Sequence, residues 1–455
     1  MSTRNIRVAA VMAALFGTVI MGVGACAPGG SAPAQQSSAT AAASTNIDSA
    51  GNVTLTVWDQ NTDDGIAQAQ DDLNAAFHKA HPNITIKRTA SSFSDLKTTL
   101  KLALTGNNPP DVVQANQGYP DMGAFVSGGL LRPVTDYAKL YGWDHYYPKS
   151  LLSQNSFSSD GKTWQGDTLY GVSQTGELVG VYYNKSKLAS LGLTAPRTIT
   201  DLEHAMEVAK SKGTLPLAYG DLEKSPGIHL YGVVQAAVAG TDAVSKLVAG
   251  QGGAWTDTPT VQAAQHIADW ASKGYLTQGA NGVSRDDALS TFIKGDALFT
   301  ITGTWRQQPL QTAMGSNVGF TVLNSLADGK PSTLGGQGLA WAITSRSAHP
   351  DVAAAYIDFI TNAKAAQSLL KSGNLPTVLP ADYTPAPGTL AADIADNYRT
   401  VQAADGEVPY LDYATPTFYD TLTAAVQNLV GGQQSPQKFT STLQDDYSAF
   451  LASQK

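Results

Sequence analysis

Four short runs place planar hydrogen-bonding groups beside aromatic rings directly after stretches that alternate as strands: Trp58-Asp59-Gln60-Asn61, Asn116-Gln117, Tyr219-Gly220-Asp221 and Thr304-Trp305. Amides and carboxylates form directional hydrogen bonds, and aromatic faces cover flat C–H patches. Together they suit a ring that carries hydroxyl groups, and burial sharpens the match because an unpaired polar partner costs about 1–3 kcal/mol. Other chemistries lack their spacing. There is no nucleophile elbow, phosphate loop or HExxH. Asp59-x-Asn61-x-Asp63 opens like a calcium loop, but Asp64 stands where that loop needs Gly and Gln70 where it needs Glu. His78 and His81 lie three apart near an expected helix end with no further ligand, so a solvated helix end is the expectation, with no metal and no cofactor. A glycosidase needs two carboxylates about 5–9.5 Å apart across the scissile bond. The adjacent acids Asp71-Asp72, Asp286-Asp287 and Asp445-Asp446 splay from neighbouring positions instead.

The elements that must hold these groups alternate between strand and helix. Val53, Leu55 and Val57 recur every second residue, and Ile66, Ala69, Leu73, Ala76 and Phe77 share a helical face that Pro82 stops. Ile84 and Ile86 mark a second strand, Leu96, Leu100, Ala103 and Leu104 a second helix, and Asp111–Gln114 a third strand after Asn107-Asn108-Pro109-Pro110. This β-α-β-α-β order predicts a largely parallel sheet covered by helices, with ligands beyond the carboxyl ends of its strands. Further strands are expected at Gly180–Tyr183, Leu215–Ala218, Ala297–Thr302 and Leu339–Thr344, and helices near the C-terminus around 416–430 and 437–452.

Ahead of this alternation, Arg4 and Arg7 precede the largely apolar run Val8–Val23, which is shorter than the ~20 residues of a spanning helix and fits a secretion signal. Val23-Gly24-Ala25-Cys26 follows, and Cys26 is the only cysteine. The run resembles a bacterial lipoprotein cleavage box, which implies a lipid-modified Cys26 and anchoring at the extracytoplasmic face of the cell membrane. Residues 26–51, rich in Ala, Ser, Pro and Gly, are expected to form a flexible tether. The 455 residues exceed one ordinary core, so two lobes are the default. The 29 basic and 37 acidic residues sum to −8 without a Lys/Arg cluster, which argues against nucleic acid as a partner.

From Val53 onward the chain resembles the family-1 extracellular solute-binding proteins of ABC importers, the sugar-binding group that includes maltose-binding protein. The likeness rests on Val53–Trp58, Pro110–Val113, Gly128–Pro133, Leu169–Val172 with Val181–Lys185, Phe292–Ala297 running to Trp305, and Gly335-Gly336 before Ala342-Ile343. It implies an α/β, two-lobe periplasmic-binding-protein-like (Venus flytrap) fold with hinge strands crossing between the lobes. Residues 52–180 plus 338–382 would form one lobe and 181–337 plus 383–455 the other, with crossings near Val179–Tyr182, Gly335–Leu339 and Asp382. It also implies a monomer that is not an enzyme and that hands a di- to tetrasaccharide to membrane permease subunits. By resemblance Trp305 faces the ligand, and Asp412 and Tyr413 precede a helix that carries ligand aromatics, with Phe418 and Tyr419 as weaker candidates. Gly336 and Gln337 would approach the ligand or bend a hinge, and Trp255, in a Gly-rich loop, would cap a subsite or cover a lobe. Gln174 and Glu177 flank the first crossing. A peptide, a polyamine or a ferric complex is the alternative solute.

Overall fold

The structure, a computed structural model, describes residues 43–454. Cys26, the run expected as a secretion signal and most of the expected tether lie outside the described residues. The strands are β1 (Val53–Asp59), β2 (Ile84–Ala90), β3 (Val112–Ala115), β4 (Ser156–Phe157), β5 (Thr168–Leu169), β6 (Gly171–Ser173), β7 (Val179–Asn184), β8 (Leu215–Ala218), β9 (Ala297–Gly303), β10 (Val318–Thr321), β11 (Thr333–Leu334), β12 (Ala340–Ile343) and β13 (Glu407–Val408). Two sheets dominate. One runs β2-β1-β3-β12-β6 and the other β10-β7-β9-β8. In the first, β1 is parallel to β2 and β3, while β12 enters antiparallel between β3 and β6. In the second, β8 is parallel to β9, and β7 is antiparallel to both β9 and β10.

The expected periodicities are visible in the packing. The helix Asp64–Ala80 buries Ile66, Ala69, Leu73 and Phe77, but Ala76 is exposed and Gln70 takes a place in the interior. That polar intrusion is satisfied, because Gln70 Nε2 donates to the Tyr356 hydroxyl at 2.9 Å. The next helix, Phe93–Thr105, starts where the Ser92 hydroxyl accepts the Asp95 N–H, and it buries Leu96, Leu100 and Leu104. Each buried leucine contributes about 1.5–3 kcal/mol. Ile47 is also buried, so packing against the fold begins ahead of β1. The helix Pro350–Thr361 returns to the first sheet, where Tyr356 meets Phe77 edge-on at 5.4 Å. The second sheet rests on the almost wholly buried helix Ser225–Ala239, behind which pack Thr258–Ser272, Phe418–Val430 and Pro436–Ser453. This is the two-lobe α/β architecture that the resemblance implies.

A ribbon of three segments joins the two sheets. In the middle, Gln174–Leu178 accepts N–H groups from both sides: Gly336 donates to Glu177 O (2.7 Å), Gly338 to Thr175 O (2.9 Å) and Thr377 to Gln174 O (3.1 Å). Gly176 N–H donates to Leu375 O at 2.8 Å. The third segment of the ribbon is therefore Leu375–Thr377. Gly335 has φ +138, and a Cβ there would lie 2.1 Å from Glu177 O, so only glycine allows the ribbon to close this tightly.

Candidate functional site

The carboxyl ends of β1 and β3 in one sheet and of β8 and β9 in the other open onto one cavity of about 190 Å³. That is many times the roughly 10–15 Å³ that one water requires, so a polyatomic solute fits.

From the first sheet, Gln60, Asn61 and Asn116 reach the wall. Asn61 is fixed from behind: its N–H donates to Asp59 Oδ1 at 2.9 Å, and its carbonyl accepts from Arg88 Nη2 at 2.6 Å. Its Nδ2 has no partner among the described residues. Asn116 Nδ2 donates to Asp121, which pairs with Lys97 at 2.6 Å. From the second sheet, Tyr219 follows β8 and half-buried Trp305 follows β9. Asp412 and Tyr413 arrive on the short turn Leu411–Ala414, and Gln337 arrives on the ribbon. The Gln337 amide itself is held by Leu151 O and Asn155.

Six expected contacts do not line the cavity. Asp59 is fully buried and paired with Arg88 at 2.7 Å, so its charge holds the loop after β1 in place. Trp58 packs, half-buried, against the main apolar core. Gln117 stands behind the wall, donating to Gly338 O (2.8 Å) and accepting from the Tyr413 hydroxyl (3.0 Å). Asp221 accepts the Gly227 N–H at 2.7 Å and shapes the turn into the helix Ser225–Ala239. Trp255 is fully buried, its ring 4.5 Å from the equally buried Phe418, and neither lines the cavity. Gly336 turns its carbonyl to the Tyr398 hydroxyl.

Other wall residues escaped the sequence reading. The imidazole of His229 lies 5.2 Å from the Trp305 ring and 6.0 Å from that of Tyr410. Burial, aided by the nearby charge of Arg285, lowers its pKa to about 3, so it is neutral near pH 7 and able both to donate and to accept. Tyr410 donates to Glu177 Oε2 at 3.1 Å, and burial raises the Glu177 carboxyl to about 7. The signal for His229 was present: it is the one histidine in a helix without Asp, Glu, Lys or Arg, set one turn from its start.

Several contacts bridge the two sides. The Tyr413 hydroxyl donates to Gln117 and meets Asn116 Oδ1 at 3.3 Å. Gly118 permits this approach, since a Cβ there would lie 2.3 Å from Tyr413 Cβ. Arg306 stands 3.6 Å from Asp63, and Lys97 sits over the Tyr419 ring at 4.6 Å. The other acids singled out in the sequence have their own partners: Asp59 and Asp71 pair with Arg88, Asp63 stands near Arg306, Asp287 caps a helix with Ser284, and Asp446 accepts threonine hydroxyls. Among the described residues no three His, Cys, Asp or Glu side chains gather as a metal site, and no helix is long and apolar enough to cross a membrane.

An aromatic and amide-lined cavity between two α/β lobes is an architecture for holding a solute, and the profile of the bacterial extracellular solute-binding proteins matches residues 59–367. The chain belongs to that family. Among the family's relatives, it is 25% identical over 315 residues to an uncharacterized ABC transporter extracellular-binding protein of Pyrococcus horikoshii, covering 66% of each chain. It is 25% identical over 296 residues to the multiple sugar-binding protein of Streptococcus mutans, covering 64% of this chain and 67% of that one. The match thus spans about two thirds of these relatives. In structure it is similar to a chitin oligosaccharide binding protein, with a TM-score of 0.76 at 22% identity over 88% of this chain and 99% of the other.

Proposed function

We propose that this extracellular solute-binding protein is an exported lipoprotein that captures an oligosaccharide of two to four units in the interlobe cavity and delivers it to the membrane subunits of an ABC importer. The carrying observation is the composition of the wall: the Trp305 face on one side and the Asn61 and Asn116 amides on the other, as a hydroxylated ring requires. The names of two relatives, a multiple sugar-binding protein and a chitin oligosaccharide binding protein, support a saccharide. Cys26 would carry the lipid, and the lobes would divide at the ribbon, 52–180 with 338–382 against 181–337 with 383–455. Gln60, Asn61, Asn116, Tyr219, Trp305, Gln337, Asp412 and Tyr413 would touch the ligand. Ligand contact with both walls would favour the closed arrangement and present it to the permease.

Titration calorimetry against neutral and aminated di- to tetrasaccharides, xylo-oligosaccharides and α-galactosides included, tests the ligand class. Small-angle scattering with the best binder tests closure, with a smaller radius of gyration expected. Binding of a peptide, polyamine or ferric complex in place of every saccharide would overturn the reading.

A further inference from the structure

Charge is unevenly spread around the cavity. Its two arginines are committed: Arg306 to Asp286 at 2.8 Å and Asp63 at 3.6 Å, and Arg285 to Asp286 at 3.8 Å. The nearest lysine at the other end, Lys97, is taken by Asp121. That leaves two carboxyls on the wall, Glu177 and Asp412, that make no salt bridge among the described residues, although the charge of Lys97 still reaches Asp412. Glu177 accepts one side-chain hydrogen bond among the described residues, from the Tyr410 hydroxyl. Asp412, 4% exposed, accepts none there from another residue's side chain.

Tyr410 and Tyr413, with rings 5.8 Å apart, are close to both acids: each feels the charges of Glu177 and Asp412. Two carboxylates beside aromatic faces attract a cation twice, by charge and by the ring quadrupole. An unpaired buried carboxylate is unfavourable, and burial indeed raises Glu177 to about 7 and Asp412 to about 6. A cationic partner would return both to their ionised form. Across the cavity, Asn61 lines the wall at 6% exposure, and its buried Nδ2 has no partner among the described residues, a donor left over for a ligand hydroxyl or ring oxygen if the side chain turns outward.

We propose that the solute bears a protonated amine, seated against Glu177 and Asp412 at the Tyr410–Tyr413 end, with its hydroxylated remainder toward Asn61. Resting on the saccharide reading above, this narrows the ligand to an aminated saccharide.

Calorimetry at pH 7 with glucosamine oligomers and N-acetylated oligomers of equal length tests it, with spermidine as an amine that is not a sugar. The aminated oligomer is expected to bind at least tenfold tighter than the neutral one. In Glu177→Gln and Asp412→Asn, the loss for the amine should exceed the loss for the neutral oligomer by tenfold or more. The wild-type comparison decides even if a variant fails to fold, which circular dichroism would reveal. Equal or tighter binding of the neutral oligomer overturns the proposal, as does failure of both amines to bind at millimolar concentration. Binding of spermidine alone, weakened in the variants, would uphold the amine and remove the saccharide reading.

Discussion

Trp255 and Trp305 are the same residue in similar company, one after Gly252-Gly253-Ala254 and the other after Gly303-Thr304, yet they serve opposite purposes. Trp255 is completely enclosed among Phe418 and Tyr447 in the helical layer of the second lobe. Trp305 ends a sheet strand and stays half-exposed beside His229, facing the cavity. What distinguishes them is the layer each loop belongs to. The loop after β9 continues a strand past its carboxyl end and brings Trp305 to the cavity, whereas the loop before the helix Thr258–Ser272 folds Trp255 under.

The contrast can be broken first at Trp255. Trp255→Ala should cost about 3–5 kcal/mol of stability in denaturant unfolding, while the fraction that stays folded keeps its affinity. Trp305→Ala should do the reverse, losing about 2–4 kcal/mol of binding in calorimetry with little change in unfolding midpoint. If both variants lost stability and neither lost affinity, the assignment of the cavity as the binding site would fall. A smaller effect is expected where the walls meet. Tyr413→Phe removes the hydroxyl shared with Gln117 and Asn116, and should weaken binding by about 0.5–1.5 kcal/mol.

The smallest effect is on pH dependence. Glu177, Glu407 and Asp221 are raised by burial to about 7 from ordinary values of 4.5, 4.5 and 3.8. Between those limits the folded chain holds more protons than the unfolded chain, so stability falls as pH rises through 7. His229 opposes this trend only below its ordinary 6.5, since its folded value is about 3. The melting temperature of the ligand-free protein should therefore decline from pH 6.5 to 8, and Glu177→Gln should flatten part of that slope. A rise over the same range would contradict the buried carboxyls.

Much of this molecule was legible in its sequence. The alternation Val53-Leu55-Val57 and the spacing of Leu96, Leu100 and Leu104 carry the period of the element they form, because each has one dry face. The strand ends before Asn61, Asn116 and Trp305 likewise led to the cavity. Side-chain direction one residue away did not. Asp59 and Asn61 stand two apart and would share a face if β1 ran on, but β1 ends at Asp59, and the partner that draws Asp59 inward, Arg88 of β2, is paired through the sheet. Asp221 and Gln117 look like ligand groups by type, and their backbone partners Gly227 and Gly338 become visible only once the chain is folded. Glu177 and Tyr410 are far apart in sequence and acquire meaning only through their hydrogen bond.

The late entry of β12 between β3 and β6 bears on how the chain acquires its shape. β12 spans Ala340–Ile343 and contacts β3 at Val112–Ala115 and β6 at Gly171–Ser173, so the middle of the first sheet stays vacant from the end of β6 at Ser173 until the chain reaches Ala340. Contacts so distant along the chain form slowly, because a long loop must close first. A nascent chain lacking its final third would thus hold β6 without its neighbour, an unfinished edge that postpones completion of this sheet until Ile343 of the 455 residues has emerged.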